Sequence, residues 1–306
     1  MRINRLDLNQ LACLDALLVT CSVTRAAQQV HLSQPAVSAA LARMREFFGD
    51  PLLVPAGRGL SLTPFAGSLR QPVRDLLLQA QALTRRRPEL EPKRIERDIT
   101  IVASDYVQTV LLHALFRRAA REAPGMRFEV RSIGGYLAEE LDQGDVDLVV
   151  SLASGMSSAH PSEPLFRDSY SCVAWEGNTA VGRTLTSEQY LGLGHVVVVL
   201  GRGRTATLDQ LALNAQGLNR RAEVRVPNFT LVPGCLVGTN RIATLHTQLA
   251  RRLARQWPLR ILRCPIEIGE IVTAVQWHRH QSHDPAIGWV RRSLHAAVRA
   301  ERLRPA

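Results

Sequence analysis

The sequence predicts a multidomain α+β protein: a small helical N-terminal domain with a hairpin, one long linker helix, and a two-lobed α/β C-terminal domain. Three observations carry that prediction. Residues 8–48 set apolar side chains at helical spacing in three short runs. Residues 65–83 repeat them every three or four positions without a break. From residue 98 onward, short β-branched runs alternate with helical stretches, the pattern of α/β layers with largely parallel sheets.

The 306 residues exceed one ordinary domain of roughly 100–200, so two or three domains are expected. At 46% hydrophobic residues, the chain can build real cores. A net charge of +11 favours a polyanionic partner. Lys93 is the only lysine among 38 basic residues, a bias that a G+C-rich genome also produces, so charge alone does not decide the matter. Cys13, Cys21, Cys172, Cys235 and Cys264 are odd in number and form no C-x-x-C pair. They read as buried core thiols in a reducing cytoplasm rather than a disulfide framework. Asp7 interrupts the N-terminal apolar run, which lacks a signal peptide's layout, and no stretch approaches the ~20 apolar residues of a membrane span. A soluble, cytoplasmic protein is the expectation.

The first helix starts at Asp7, with Gln10 completing a capping box and Leu8, Leu11, Leu14, Leu17 and Leu18 forming its apolar stripe. A second helix is expected from Thr24 as N-cap, holding Ala26, Ala27 and Val30. The third begins at Ser33, with Pro35 tolerated in the first turn, where backbone N–H groups lack partners anyway. Val37, Leu41, Met44 and Phe48 point inward together; Gln34, Ser38 and Arg45 take the other face. A short helix, a tight turn and a capped second helix make a helix-turn-helix, whose exposed N-terminal side chains can enter a major groove. Gln can pair with adenine, and Ser serves either partner. Residues 49–64 then read as a β-hairpin wing with Arg58 at its tip, placed for phosphate or minor-groove contact.

Three segments result: 1–63, the winged helix-turn-helix; 64–97, a long helix and a charged hinge; and 98–306, the α/β half. In the second, Phe65, Leu69, Val73, Leu76, Ala80 and Leu83 form a heptad seam, which Pro72 threatens to kink. In the third, strands are expected over 99–103, 128–133, 146–152, 195–200 and 241–245, with helices over 106–122 and 136–143. Two such stretches in about 200 residues imply two lobes and a cleft. A ligand should lie between them at the C-terminal ends of strands. Ser104 at a helix start, His195 at a strand start and Phe229 as a stacking ring are the candidate contacts, with Arg202 placed to clamp a carboxylate. Gly201-Arg202-Gly203-Arg204 lacks the third glycine of a dinucleotide fingerprint. His278, His280 and His283 have no cysteine nearby and read as a surface turn, not a metal site. The chain shows no G-x-S-x-G elbow, no P-loop and no metal-ligand run, which reads against an enzyme, and no cofactor is expected.

Residues 6–67 resemble the N-terminal domain of LysR-type transcriptional regulators. The resemblance rests on Ser22-Val23-Thr24, Ala26-Ala27, Leu32-Ser33-Gln34-Pro35-Ala36-Val37-Ser38, and Gly57-Arg58-Gly59 with Leu62-Thr63. It implies that Thr24, Ser33, Gln34, Pro35, Ala36 and Ser38 meet double-stranded DNA, with Arg43 and Arg58 near phosphates. Ala39-Ala40 stands where many members carry a basic or amide side chain. The resemblance also implies dimerisation through the linker helix, further pairing into a homotetramer, a roughly palindromic operator and RNA polymerase as a partner. The C-terminal half resembles the family's periplasmic-binding-protein-like effector domain, and within it the branch that senses flavonoids and small aromatic acids. Residues 103–106, 144–148, 163–168, 195–196, 226–229, 240–244 and 277–278 carry that likeness. It implies one lobe over about 98–167 plus 270–300, another over about 168–269, and His195 and Asn228 as contacts to a small aromatic effector, with an aromatic acid among the candidates.

Overall fold

The computed structural model describes residues 7–57, 59–85, 91–134, 137–201 and 206–306. The chain divides into two compact units, one of residues 1–86 with 142–144 and one of residues 87–141 with 145–306.

In the N-terminal unit, α1 (Leu8–Thr20) starts on Asp7. The Asp7 carboxylate accepts the Gln10 N–H at 2.8 Å, and the Gln10 side chain accepts the Asp7 N–H at 3.2 Å. Helix α2 (Val23–Gln29) begins earlier than expected. Its cap is Ser22, whose hydroxyl accepts the Arg25 N–H at 3.3 Å, so Thr24 is freed to stand exposed on the first turn. Helix α3 (Gln34–Phe48) is capped by Ser33, which accepts the Ala36 N–H, and ends where Gly49 takes φ +66°. Leu14, Leu17, Leu18, Ala26, Ala27, Val37, Leu41 and Met44 form the core, and the two alanines allow α2 to lie close.

Strands β1 (Leu53–Ala56) and β2 (Gly59–Leu62) pair antiparallel, with Leu53 opposite Leu62. The base of this hairpin is fastened twice. Arg45 donates to the carbonyls of Pro51 and Leu53, and Asp50 accepts from the Leu52 N–H and the Thr63 hydroxyl, both at 2.7 Å. Helix α4 (Pro64–Arg85) runs unbroken through Pro72. Pro72 is exposed, so water can serve the carbonyl that its missing N–H leaves free. An Arg74–Asp15 ion pair at 2.6 Å ties α4 to α1.

The C-terminal unit holds two sheets. The first contains β3 (Arg97–Ala103), β4 (Met126–Arg131), β5 (Leu148–Leu152), β6 (Ser162–Asp168), β12 and β13. The second contains β7 (Tyr170–Trp175), β8 (Gly194–Val198), β9 (Arg221–Val226), β10 (Ile242–His246) and β11 (Leu259–Arg263). β12 is Ile271–Trp277 and β13 is Arg304–Pro305. Their orders are β13-β6-β12-β5-β3-β4 and β11-β7-β10-β8-β9. The expectation of largely parallel sheets is corrected. Each sheet has a parallel trio, β4-β3-β5 and β10-β8-β9, flanked by antiparallel strands. The chain passes between sheets directly from β6 to β7 and again from β11 to β12. β7 and β12, which enter their sheets by these passages with no crossover helix, run against the trios they join, while β6 and β11 pair antiparallel with β12 and β7 and so run with the trios.

Short helices link the trios: α5 (Asp105–Val107), α6 (His113–Glu122), α7 (Leu137–Asp142), α8 (Ser187–Gly192), α9 (Leu208–Ala215), α10 (Val232–Leu236) and α11 (Thr247–Leu253). The backbone between α5 and α6 is a π-helical stretch, Gln108–Leu112. The last helix, α12 (Pro285–Ala300), packs on α6 over the first sheet. One apolar cluster runs from Ile101, Leu111, Val150 and Leu294 to Val196, Leu245 and Leu249, so the two sheets share a core.

One expectation about a side chain fails in this unit. His278 is not on a surface turn: it is fully buried, 4.6 Å from the His160 ring, and its Nδ1 accepts the His280 N–H. Cys172 is the buried core thiol expected, and the half-buried Cys264 packs against the same cluster.

Candidate nucleic-acid interface and ligand cavity

In the N-terminal unit, Thr24, Ser33, Gln34, Pro35, Ala36, Ser38 and Arg43 are all exposed. Residues 33–38 occupy the start of α3, while Val37 and Leu41 anchor its opposite face in the core. Ser33 spends its hydroxyl on the cap, so it acts on α3 first and on any partner through its remaining hydrogen-bonding capacity. The amide of Gln34 is the longest polar group on this turn and suits a base edge. Arg58, expected at the wing tip, lies outside the described residues.

In the C-terminal unit, a cavity of about 450 Å³ opens where the parallel strands end. Ser104 follows β3, Ile133 follows β4, Leu152 closes β5, Leu200 follows β8, Phe229 follows β9 and His246 closes β10. The strand ends of both trios thus converge, as expected for α/β ligand sites. Tyr106, Tyr170, Ser151, Ser154, Thr207 and Thr273 add hydroxyls to that of Ser104 in a wall otherwise built from His246 and Leu, Ile, Val, Phe, Ala and Gly residues. Among the described residues, no Arg, Lys, Asp or Glu lines this cavity. A second cavity of about 360 Å³ shares Ser104, Ile133 and Leu200 with it and adds Asp105, Ser132 and Asn228.

An aromatic cluster forms one wall. The His246 ring stacks on Tyr106 at 3.7 Å between centroids and 10° between planes. Phe229 meets His246 edge-on at 4.8 Å, and Tyr170 lies 5.1 Å away. The Tyr106 hydroxyl donates to Asp168 at 2.8 Å. Asp168 also accepts N–H groups of Ser169 and Gln248 at the passage from β6 to β7. Burial raises the Asp168 carboxyl and pushes both tyrosines up, so the phenols stay protonated. Burial also lowers His246 to about 3, leaving a neutral imidazole at physiological pH.

The candidates therefore divide. Ser104 lines both cavities while its hydroxyl caps α5, Phe229 lines the larger and Asn228 the smaller. His195 lines neither cavity. It stands near the start of β8, at the opposite end from the cavity, fully buried against Tyr190 with its Nε2 bonded to the Tyr190 carbonyl at 2.6 Å. A ligand at strand C-termini cannot reach a strand's first turn. Arg202 lies outside the described residues. Sequence reasoning missed His246, Tyr106 and Tyr170 as lining groups. The available signal for His246 was a polar residue ending a buried apolar strand, the position where α/β proteins hold ligands.

Comparisons with known proteins agree with both halves. The model for the "bacterial regulatory helix-turn-helix protein, lysR family" matches residues 8–67, and that for the "LysR substrate binding domain" matches residues 93–299. Nodulation protein D 1 of Bradyrhizobium diazoefficiens is 40% identical over 294 residues, 96% of this chain and 94% of that protein. Nodulation protein D 1 of Rhizobium meliloti is 40% identical over 96% of each chain. The crystal structure of a probable transcriptional regulator from Pseudomonas aeruginosa superposes with a TM-score of 0.64 at 27% identity, covering 96% of this chain and 99% of that one. Full-length OxyR from the same organism, at 14% identity and a TM-score of 0.71, covers 96% of this chain and 95% of its own, and shares the fold.

Proposed function

The chain belongs to the LysR family of bacterial transcriptional regulators, and on that premise we propose that it holds a roughly palindromic promoter site as a homodimer or homotetramer, acts there on RNA polymerase in the cytoplasm, and answers a small, neutral aromatic effector. Ligand-responsive DNA binding is the family's general mode. The finer reading is supported by one observation above all: the cavity's described wall is aromatic and hydroxyl-rich and carries no formal charge. An aromatic carboxylate would be desolvated there with no counter-ion among the described residues, which is costly. A neutral phenol would stack and hydrogen-bond instead.

Self-association is supported by α4, on which Phe65, Leu76 and Leu83 stay 40%, 46% and 68% exposed along one stripe. Leu69 and Val73, also in the heptad seam, instead face the unit's own core. A paired α4 would set two copies of α3 on one duplex, hence the inverted repeat. Light scattering tests this directly: Leu76→Asp should halve the mass of a dimer, and an unchanged mass removes the stripe from the interface. For DNA and effector together, binding-site selection with the full chain should enrich an inverted repeat. A panel of neutral phenols and aromatic acids should then yield phenols that alter transcription from that site; acids alone would refute the neutral-effector reading. Arg58→Ala and Arg43→Ala should each lower affinity for all sequences alike and reduce the salt slope by about 1.

A further inference from the structure

His246 occupies an unusual position. It is 5% exposed, lines the cavity, and lies against three aromatic rings. Its Nδ1 is buried with no hydrogen-bond partner. Buried polar atoms are nearly always paired, so this sealed nitrogen gains a partner only where the rings packed around it shift to admit one. The unused nitrogen of His195 has no such meaning, because His195 lines neither of the cavities described above. Burial keeps the imidazole of His246 neutral against the opposing pull of Asp209, with one nitrogen protonated and the other carrying a lone pair.

We infer that His246 is the specificity-determining residue of the cavity, hydrogen-bonding an effector hydroxyl and selecting a phenol over its methyl ether and over a carboxylate. The inference rests on the effector reading above and adds the group that enforces it. A hydroxyl both donates and accepts, so it satisfies the imidazole in either tautomer. A methyl ether only accepts. A carboxylate only accepts too, and loses its water in a wall with no described cation. The stack on Tyr106 adds positional control. Tyr106 follows β3 of the first sheet and His246 ends β10 of the second, so their contact spans the two sheets. Asp168 holds the Tyr106 hydroxyl and also the first turn of α11 through the Gln248 N–H. An effector bonded to His246 therefore engages a seam between lobes, and differential contact with their arrangements is what shifts such an equilibrium.

The test uses the full chain and three matched probes: 4-hydroxybiphenyl, 4-methoxybiphenyl and biphenyl-4-carboxylate, titrated by calorimetry. The wild type should bind the phenol roughly tenfold more tightly than the ether, the size of one neutral hydrogen bond, with the carboxylate weakest. His246→Phe keeps a ring in the stack and should erase that preference while leaving the ether's affinity within about twofold. His246→Gln should restore part of it. A preference that survives in both variants overturns the assignment while leaving the effector reading intact. A wild type that binds only the carboxylate sinks both. If the variants do not fold, nitrogen-15 shifts of the wild-type imidazole decide: ring nitrogens of His246 that stay still on saturation with 4-hydroxybiphenyl overturn the inference, and a shift of several ppm supports it.

Discussion

Gln34 and Ser38 stand in water on the first turns of α3, whereas His246 and Tyr106 are sealed inside the sensor unit. On the proposed reading, the two sets would serve recognition on different physical terms. An exposed side chain on a capped helix contributes to binding without contributing to the core, so it can be exchanged at little cost to folding. A sealed ring in a cavity wall is itself part of the packing. Changing it alters stability and affinity together, and its ionisation is linked to folding.

That linkage gives the largest expected effect and would break the contrast if absent. Burial lowers His195 to about 4 and His246 to about 3, against an ordinary 6.5. Their folded pKa values are depressed, so the unfolded chain binds more protons. Stability is therefore full above pH 6.5 and falls as pH drops toward 4, by up to about 1.4 kcal/mol per pH unit for each histidine. The raised Asp168 opposes this at the acid end, since its folded form takes a proton first. Urea unfolding of the full chain at pH 7.0 and 4.5 should show the sensor transition weaken by about 2–4 kcal/mol. His195→Gln should shrink that difference by about half; a pH-independent transition would mean that neither ring is held neutral.

Next in size is the Tyr106–Asp168 bond. Tyr106→Phe leaves a buried carboxyl short of a donor and should lower sensor stability by about 1–3 kcal/mol in thermal melts, with weaker phenol binding. On the exposed side, Gln34→Ala should weaken binding to the selected site by about 1–3 kcal/mol and relax one base position, without moving either melting transition by more than a degree or two. An unchanged base preference would show that Gln34 reads no base. Ser33→Ala should cost about 1 kcal/mol in the N-terminal unit through loss of the cap. The smallest effect is expected at His195 itself. His195→Gln should leave probe affinity within about twofold, since the ring lies at the far end of β8; a larger loss would sharpen the comparison by showing that the strand transmits strain to its other end.

How much was legible follows from how local each feature is. Asp7 with Gln10, and Ser33 with Pro35, announce helix starts within four residues, and both caps form as read. Thr24 misled because Ser22, two residues earlier, is an equally good cap and the helix took the longer option. The sheets were harder. Apolar runs identify buried strands but carry no direction, so the antiparallel-paired β6, β7, β11 and β12 looked the same as the parallel trios. His195 and His246 show the same limit inside one sheet. Each adjoins a valine- or leucine-rich run, and only the strand direction and the passage of the chain tell which end opens onto the cavity.

By itself the sequence determined the family, the helix-turn-helix with its exposed reading turn, and an α/β sensor half, because caps, periodicity and turn residues act over a few positions. Tertiary structure alone decided that strand ends from two sheets meet around Tyr106, Phe229 and His246, and that His195 faces away. The physical reason is distance along the chain. Tyr106 and His246 come into stacking contact only after both sheets have formed and packed on their shared core, so no local pattern could record that they would touch.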